Sequence, residues 1–281
     1  MEVALGSPAH GEDPEDPIEA VEWIEKAPAG GTQSQVFRLE DETHAVVKFQ
    51  QNPQGERVLV NEFLSCRVGE RLNLPVNPAR LVRIDARLLA VPKSRGDCPG
   101  NFAEGIHCGL TRYANAVNVD PAGPLFRDVV NGDELHGVLI LEQLVVRGDS
   151  RQLLAYPSSE AGVGSGRPVW RFAAYDYGLA FGGSPAWTLD TLNQLGPVQL
   201  PTHDAIQQAY TTGGPQGVTI ERLKHLTGSD FERIVEALSP PRWGITPEEG
   251  ARIVALLEQR AQELVRQYDQ RYRPQLEAFH E

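Results

Sequence analysis

Lysine is scarce in this chain: among 26 basic residues only Lys26, Lys48, Lys93 and Lys224 are lysines. Lys48 lies in the apolar run Ala45-Val46-Val47-Lys48-Phe49, where an isolated ammonium is costly to bury and needs an anion. Glu62 in the next segment offers one, and a bound phosphate could offer more. The competing reading is an edge strand from which the amine snorkels to water. Upstream, Gly30-Gly31-Thr32-Gln33 contains adjacent glycines, which allow backbone N–H groups to approach phosphates closely. Downstream stand two aspartates, in Gly148-Asp149 and in Asp176-Tyr177-Gly178. Two carboxylates brought together repel unless a cation lies between them, and Mg²⁺ prefers hard oxygen ligands. Taken singly, Gly-Asp and Asp-x-Gly are also ordinary turn sequences.

The elements that must position these groups can be read from pattern. Residues 18–24 form a short helix or strand, 27–33 a glycine-containing loop, and 34–39 with 44–50 two β-rich runs split by Glu40-Asp41-Glu42-Thr43, a hairpin. From 56 to 72, Leu59, Phe63, Val68 and Leu72 recur at close to helical spacing, predicting a helix that carries Glu62. Residues 79–91 read as strand with a bend at Ile84-Asp85, and 105–113 as another strand. Asp133 is placed to cap a buried helix over 134–146, which stops at Arg147-Gly148-Asp149. Residues 152–156 and 170–175 form a second hairpin around a Gly- and Ser-rich loop, so Asp149 and Asp176 both fall at element ends. Beyond 202 the pattern is helical: 202–212, 219–226, 229–238 and 247–272. The last helix has Thr246 as cap, Pro247 in the first position and Glu249 in capping-box register.

Glycine loop, strand lysine, helix glutamate, aspartate after a buried helix, then Asp-x-Gly after a hairpin is the order of parts with which kinases hold ATP. The wording is more specific. Gly30-Gly31-Thr32-Gln33, Val36-Phe37-Arg38, Val46-Val47-Lys48-Phe49-Gln50, Asn52-Pro53-Gln54-Gly55, Arg57-Val58-Leu59-Val60-Asn61-Glu62 and Leu72-Asn73-Leu74-Pro75-Val76 resemble the HipA-like kinase family, as do Asp149-Ser150-Arg151-Gln152 and 175–183. The likeness spans roughly 17–190. It implies an α+β, two-lobed protein-kinase-like fold, with a β-rich lobe over 17–113 and a helical lobe over 114–281. It further implies an ATP- and Mg²⁺-dependent phosphotransferase. Gly30, Gly31, Thr32, Gln33 and Lys48 would hold the nucleotide, Glu62 would pair with Lys48, Asp149 would be the base, and Asp176 would bind Mg²⁺. The implied acceptor is a protein Ser/Thr hydroxyl; small alcohols and lipids are the alternatives. One departure stands out: many kinases have Asn five residues after the catalytic aspartate, and here that position is Leu154, with Gln152 as a substitute ligand from another register. The flanking basic residues are reduced to Arg147 and Arg151. A pseudokinase that binds nucleotide or a partner without turnover is therefore the second reading.

Composition narrows the field. The chain has 281 residues, 41% hydrophobic and 23% charged, which suits a globular protein with a sizeable core. The formal charge of −12 is concentrated in the first 25 residues, with eight acids and no Lys or Arg; the remainder carries 30 acids against 26 bases. Neither nucleic acid nor an anionic membrane is an expected partner, and residues 1–16 read as a loose acidic tail. Without a signal sequence or a long apolar run, the expected compartment is the cytosol. Cys66, Cys98 and Cys108 show no CxxC pairing and read as free thiols. Seven histidines without HExxH or paired spacing make a zinc enzyme a poor match.

Overall fold

The computed structural model describes residues 16–28, 31–120, 126, 128–158, 169–183, 185–201, 217–239 and 242–277. The acidic tail up to residue 15, Gly30, most of the loop between the second pair of strands and the helix expected at 202–212 lie outside them.

The N-terminal part is a closed barrel. Its strands are β1 (Ile18–Lys26), β2 (Gln35–Leu39), β3 (His44–Lys48), β4 (Ala79–Ile84) and β5 (Gly105–Thr111), in the order β1-β2-β3-β5-β4. All neighbours are antiparallel except β1 and β4, whose parallel pairing through Ile18↔Val82 and Glu19↔Arg83 closes the ring and leaves no free edge. Alternation supplies the filling: Phe37, Leu39, Ala45 and Val47 point inward with Val82 and Ile84, and Phe49 stacks on Phe102 at 4.3 Å between centroids. The first segment, open to either reading from sequence, is thus a strand.

Residues 79–91 do not continue as strand. Asp85 ends β4 and caps α2 (Ala86–Arg95), its carboxylate accepting the N–H of Arg87 at 2.8 Å. Good helix formers follow this cap, and Gly96 with φ 75° terminates the helix, so local capping overrides the apolar β-like run.

Helix α1 (Arg57–Arg71) lies between the barrel and the C-terminal part and is buried on several faces. Its crossing with α3 (Leu135–Leu144) is close because Gly69 has no side chain; a Cβ there would lie 2.6 Å from Val76 Cγ1 and 2.9 Å from Leu141 Cδ2. The expected start of α3 is corrected: a 3-10 turn at Gly132–Glu134 leads into it, and Asp133 falls inside that turn. A short strand missed from sequence, β6 (Val117–Asn118), pairs with β7 (Gln152–Pro157), which pairs antiparallel with β8 (Trp170–Tyr175). The remaining described helices are α4 (Leu189–Asn193), also not anticipated, α5 (Gly217–His225), α6 (Gly228–Glu236) and α7 (Pro247–Glu277). At the head of α7, Thr246 Oγ1 accepts from the Glu249 N–H at 3.2 Å and Glu249 accepts from the Thr246 N–H at 2.8 Å, the reciprocal cap that the sequence predicts. One continuous apolar core joins α1, α3, β7, β8 and α5 to α7. No described helix is long and apolar enough to cross a membrane.

Candidate functional site

Lys48 is the last residue of β3 and belongs to the barrel wall, yet its side chain leaves the wall toward α1. The ammonium meets Glu62 Oε2 at 2.6 Å and Asp176 Oδ1 at 2.7 Å. Its side chain is only 7% exposed, and that of Glu62 is fully buried. The sequence alternative of an amine snorkelling to water does not hold here. Burial alone would lower the Lys48 pKa, but the two carboxylates outweigh it and hold the ammonium charged, with a pKa above the ordinary lysine value. Asp176 shows the converse: burial would raise its pKa, and Lys48, Arg147 and Gln152 together bring it below the ordinary value. The carboxylate is an anion at neutral pH.

Asp176 follows β8 in a left-handed backbone conformation, φ 59°, which aspartate tolerates better than most residues. That turn aims its carboxylate back at β3. Gln152, at the start of β7 and opposite Tyr175 in the ladder, donates from Nε2 to Asp176 Oδ2 at 2.8 Å. Behind Asp176, the Gly178 and Ala180 carbonyls accept from Asn61 Nδ2 of α1 at 2.8 and 3.1 Å.

Asp149 is reached from α3 through Val146, which also has a positive φ (53°). Its loop is stitched to the segment after Asp176: Phe181 N–H donates to the Val145 carbonyl, Gly182 N–H to Val146, and Gly148 N–H to Leu179. Gly148 is the tightest point. A Cβ at this position would stand 1.9 Å from Gly183 Cα, so only glycine fits. Arg147 joins the two aspartates. Its side chain is 2% exposed, with Nε donating to Asp149 Oδ1 at 3.0 Å and Nη2 to the backbone carbonyls of Ser150 (2.9 Å) and Asp176 (3.2 Å). Its guanidinium also covers the Tyr177 ring at 4.8 Å. Glu142 of α3 stands 3.6 Å from Arg147 Nη1 and is itself held by Arg151.

The structure thus gathers Lys48, Glu62, Asp176 and Gln152 by direct contact and brings Asp149 to them through Arg147. The glycine loop is described from Gly31 onward. Gly31 abuts the Gln54 side chain, Thr32 and Ser34 share a buried hydroxyl hydrogen bond of 2.8 Å, and Gln33 adopts φ 52°. Leu154 stands in β7, cross-strand from Ala173, and offers no metal ligand. Sequence reasoning passed over the supporting residues Asn61, Glu142 and Trp187. The available signal was a charged residue inside an otherwise apolar helix, which holds for Glu142 alone.

Does this donor set suit Mg²⁺? Among the described residues no three His, Cys, Asp or Glu side chains form a metal cage. A Mg²⁺ ion, however, usually takes one or two carboxylates and completes its shell with water and phosphate oxygens. Asp176 Oδ2 could serve as such a ligand, and the Gln152 amide, turned end for end, would present its oxygen beside it. The residues fit the ion.

With this geometry in view, the chain can be set beside known proteins. No protein-family model matches it, and no curated protein does. Among solved structures, the Helicobacter pylori proinflammatory kinase CtkA aligns over 91% of this chain and 98% of its own, with a TM-score of 0.56 and 11% sequence identity. Two structures of the Golgi casein kinase, one with Mn/ADP bound, align over 91% of this chain and 73% and 74% of theirs. Their TM-scores are 0.47 and 0.46, at 12% and 11% identity. The chain has a kinase-like α+β fold, strand-rich in its N-terminal part and helical toward its C-terminus.

Proposed function

We propose that the chain is an ATP- and Mg²⁺-dependent phosphotransferase related to the HipA-like kinases, and that it passes the γ-phosphoryl group to a Ser/Thr hydroxyl of a protein. In this reading residues 17–113 form one lobe and 114–281 the other, with the nucleotide between them. The observation that carries it is the contact of Lys48 with both Glu62 and Asp176, residues 14 and 128 positions away. A buried ammonium held by two carboxylates is costly for stability alone, and it is the arrangement that phosphoryl transfer uses to receive a triphosphate.

Each residue then has a task. Lys48 neutralises phosphate oxygens, and Glu62 keeps it aimed. The loop at Gly31, Thr32 and Gln33 covers the phosphates with backbone N–H groups. Asp176, with Gln152 beside it, would hold Mg²⁺, which when bound would neutralise phosphate charge. Asp149 orients the acceptor hydroxyl and takes its proton as the oxygen attacks phosphorus in line and the ADP oxygen departs. The fold similarity to a solved kinase supports the general reading; the acceptor rests on the HipA-like wording of the sequence.

The test is transfer of labelled γ-phosphate, to the protein itself or to a lysate, by the wild type, Asp149→Asn and Asp176→Asn. The expected division is loss of transfer with ATP binding kept for Asp149→Asn, and loss of both for Asp176→Asn. Variants that behave alike would reject the assigned roles. A second reading is favoured by one observation: both Asp176 oxygens are engaged, by Lys48 and by Gln152, and the second-metal position is Leu154. A pseudokinase of this design would bind ATP equally well with and without Mg²⁺ and would not turn it over.

A further inference from the structure

We propose that Asn61, Arg57 and Glu249 are positioning residues, a latch running from the head of α7 through Trp187 to α1 that keeps Glu62 against Lys48. The inference rests on the phosphotransferase reading of that site, and it concerns how the site is held assembled.

Arg57 and Asn61 are four residues apart on α1 and therefore share a face, while Glu62 is the next position round the helix. Asn61 is fully buried, so every polar atom it carries must find a partner. It finds them outside its own helix: Nδ2 donates to the Gly178 and Ala180 carbonyls, and Oδ1 accepts from Trp187 Nε1 at 2.7 Å. All three bonds reach the chain that follows Asp176. The face of the Trp187 ring is covered by the Arg57 guanidinium, 4.5 Å from its centroid. Arg57 Nη2 in turn donates to both carboxylate oxygens of Glu249, at 2.7 and 2.8 Å. Glu249 has no freedom to follow a moving partner, because it is also the N3 residue of the α7 capping box.

A rotation of α1 that withdrew Glu62 from Lys48 would break these contacts together. The far end of the helix is tied to the same C-terminal layer, through Arg71 to Asp230 of α6 at 2.7 Å and through Arg222 of α5 to the carbonyls of Leu72 and Asn73. The helix that carries Glu62 is held at both ends by residues more than 140 positions downstream. The chain assembles its own lysine–glutamate pair, and the start of α7 serves as the anchor.

The test is a double-mutant cycle in the full-length protein, combining Arg57→Ala with Glu62→Gln and reading phosphate transfer. If Arg57 acts through Glu62, Arg57→Ala lowers kcat about tenfold in the wild-type background and less than about twofold in the Glu62→Gln background. Equal factors in both backgrounds overturn the proposal. Glu249→Gln is the second variant, since glutamine still serves at N3 of a capping box while the charge and one of the two acceptors facing Arg57 are lost. It carries the cycle if Arg57→Ala does not fold. Should the wild type transfer no phosphate, the functional reading falls and hydrogen exchange decides the latch. Both variants should then accelerate exchange in the first turns of α1 and at residues 178–181 by about tenfold, leaving β2 and β3 unchanged. Unchanged exchange in α1, or uniform acceleration throughout, overturns the latch.

Discussion

A buried charge is tolerable only where its surroundings answer it, and Lys48 and His107 are answered in opposite ways. Lys48 keeps its proton because Glu62 and Asp176 lie within 2.7 Å. His107 in β5, fully buried and packed on Phe49, has no carboxylate partner among the described residues and stays neutral: burial lowers its pKa to about 4, against a weaker pull upward from the Ala103 carbonyl. Its Nδ1 accepts from the Gln50 N–H, and Nε2 lies 3.1 Å from the Ala103 carbonyl, a pattern that suits the neutral ring. The unfolded chain binds this proton near pH 6.5, whereas the folded one waits until about pH 4. The stability from neutral His107 is therefore complete above pH 6.5 and drains away as pH falls toward 4, on the order of 3 kcal/mol in all. Urea denaturation across this window should show a flatter pH dependence for His107→Asn than for the wild type; parallel curves would contradict the assignment. At this scale the sequence was informative where a residue was out of keeping with its neighbours. Lys48 in an apolar strand was such a residue, whereas Arg147 reads from sequence only as a basic residue flanking Asp149, and the fold alone reveals that it touches both Asp149 and the Asp176 carbonyl.

Elements bring distant residues together through backbone more than through side chains. The loop after α3 and the turn after β8 exchange three backbone hydrogen bonds, and Gly148 sits where the two chains touch. Gly148→Ala should consequently force them apart. A displacement of about 1 Å at a reacting group can cost 10²-fold in rate, so phosphate transfer should fall by about that factor. Gly196→Ala, whose Cβ would meet open space, is the control and should leave transfer within about twofold under the same assay. Near-normal transfer in Gly148→Ala would show that the stitched loops do not set the geometry of the site. Element identity was legible from periodicity for β2, β3, α1, β7, β8 and α7. It failed at 86–91, where the Asp85 cap and helix-forming residues turn an apolar run into α2, and at β6 and α4, which are too short to generate a period. The Asp133 cap failed for a related reason: a 3-10 turn moves the helix start by one residue without a sequence mark.

At the scale of the whole molecule, the barrel supplies Lys48, the helix packed against it supplies Glu62, and the hairpin and buried helix of the C-terminal part supply Asp176 and Asp149. Their order along the chain was readable because each kind of candidate site residue needs a particular support: glycines in a turn, lysine at a strand end, glutamate on the next helix, aspartates at element ends. The clamping of α1 from the far end of the chain was not readable, because pairs such as Arg57 and Glu249, 192 positions apart, leave no local pattern. The central claim is that Lys48, Glu62, Asp149 and Asp176 surround a single triphosphate. The most direct measurement is a crystal structure of the wild type with Mg²⁺ and a non-hydrolysable ATP analogue. It should place phosphate oxygens on Lys48 Nζ, the metal on Asp176 with Gln152 turned toward it, and the γ-phosphate facing Asp149. A nucleotide bound elsewhere, or a cleft in which the Asp149 carboxylate points away from the γ-phosphate, would contradict it.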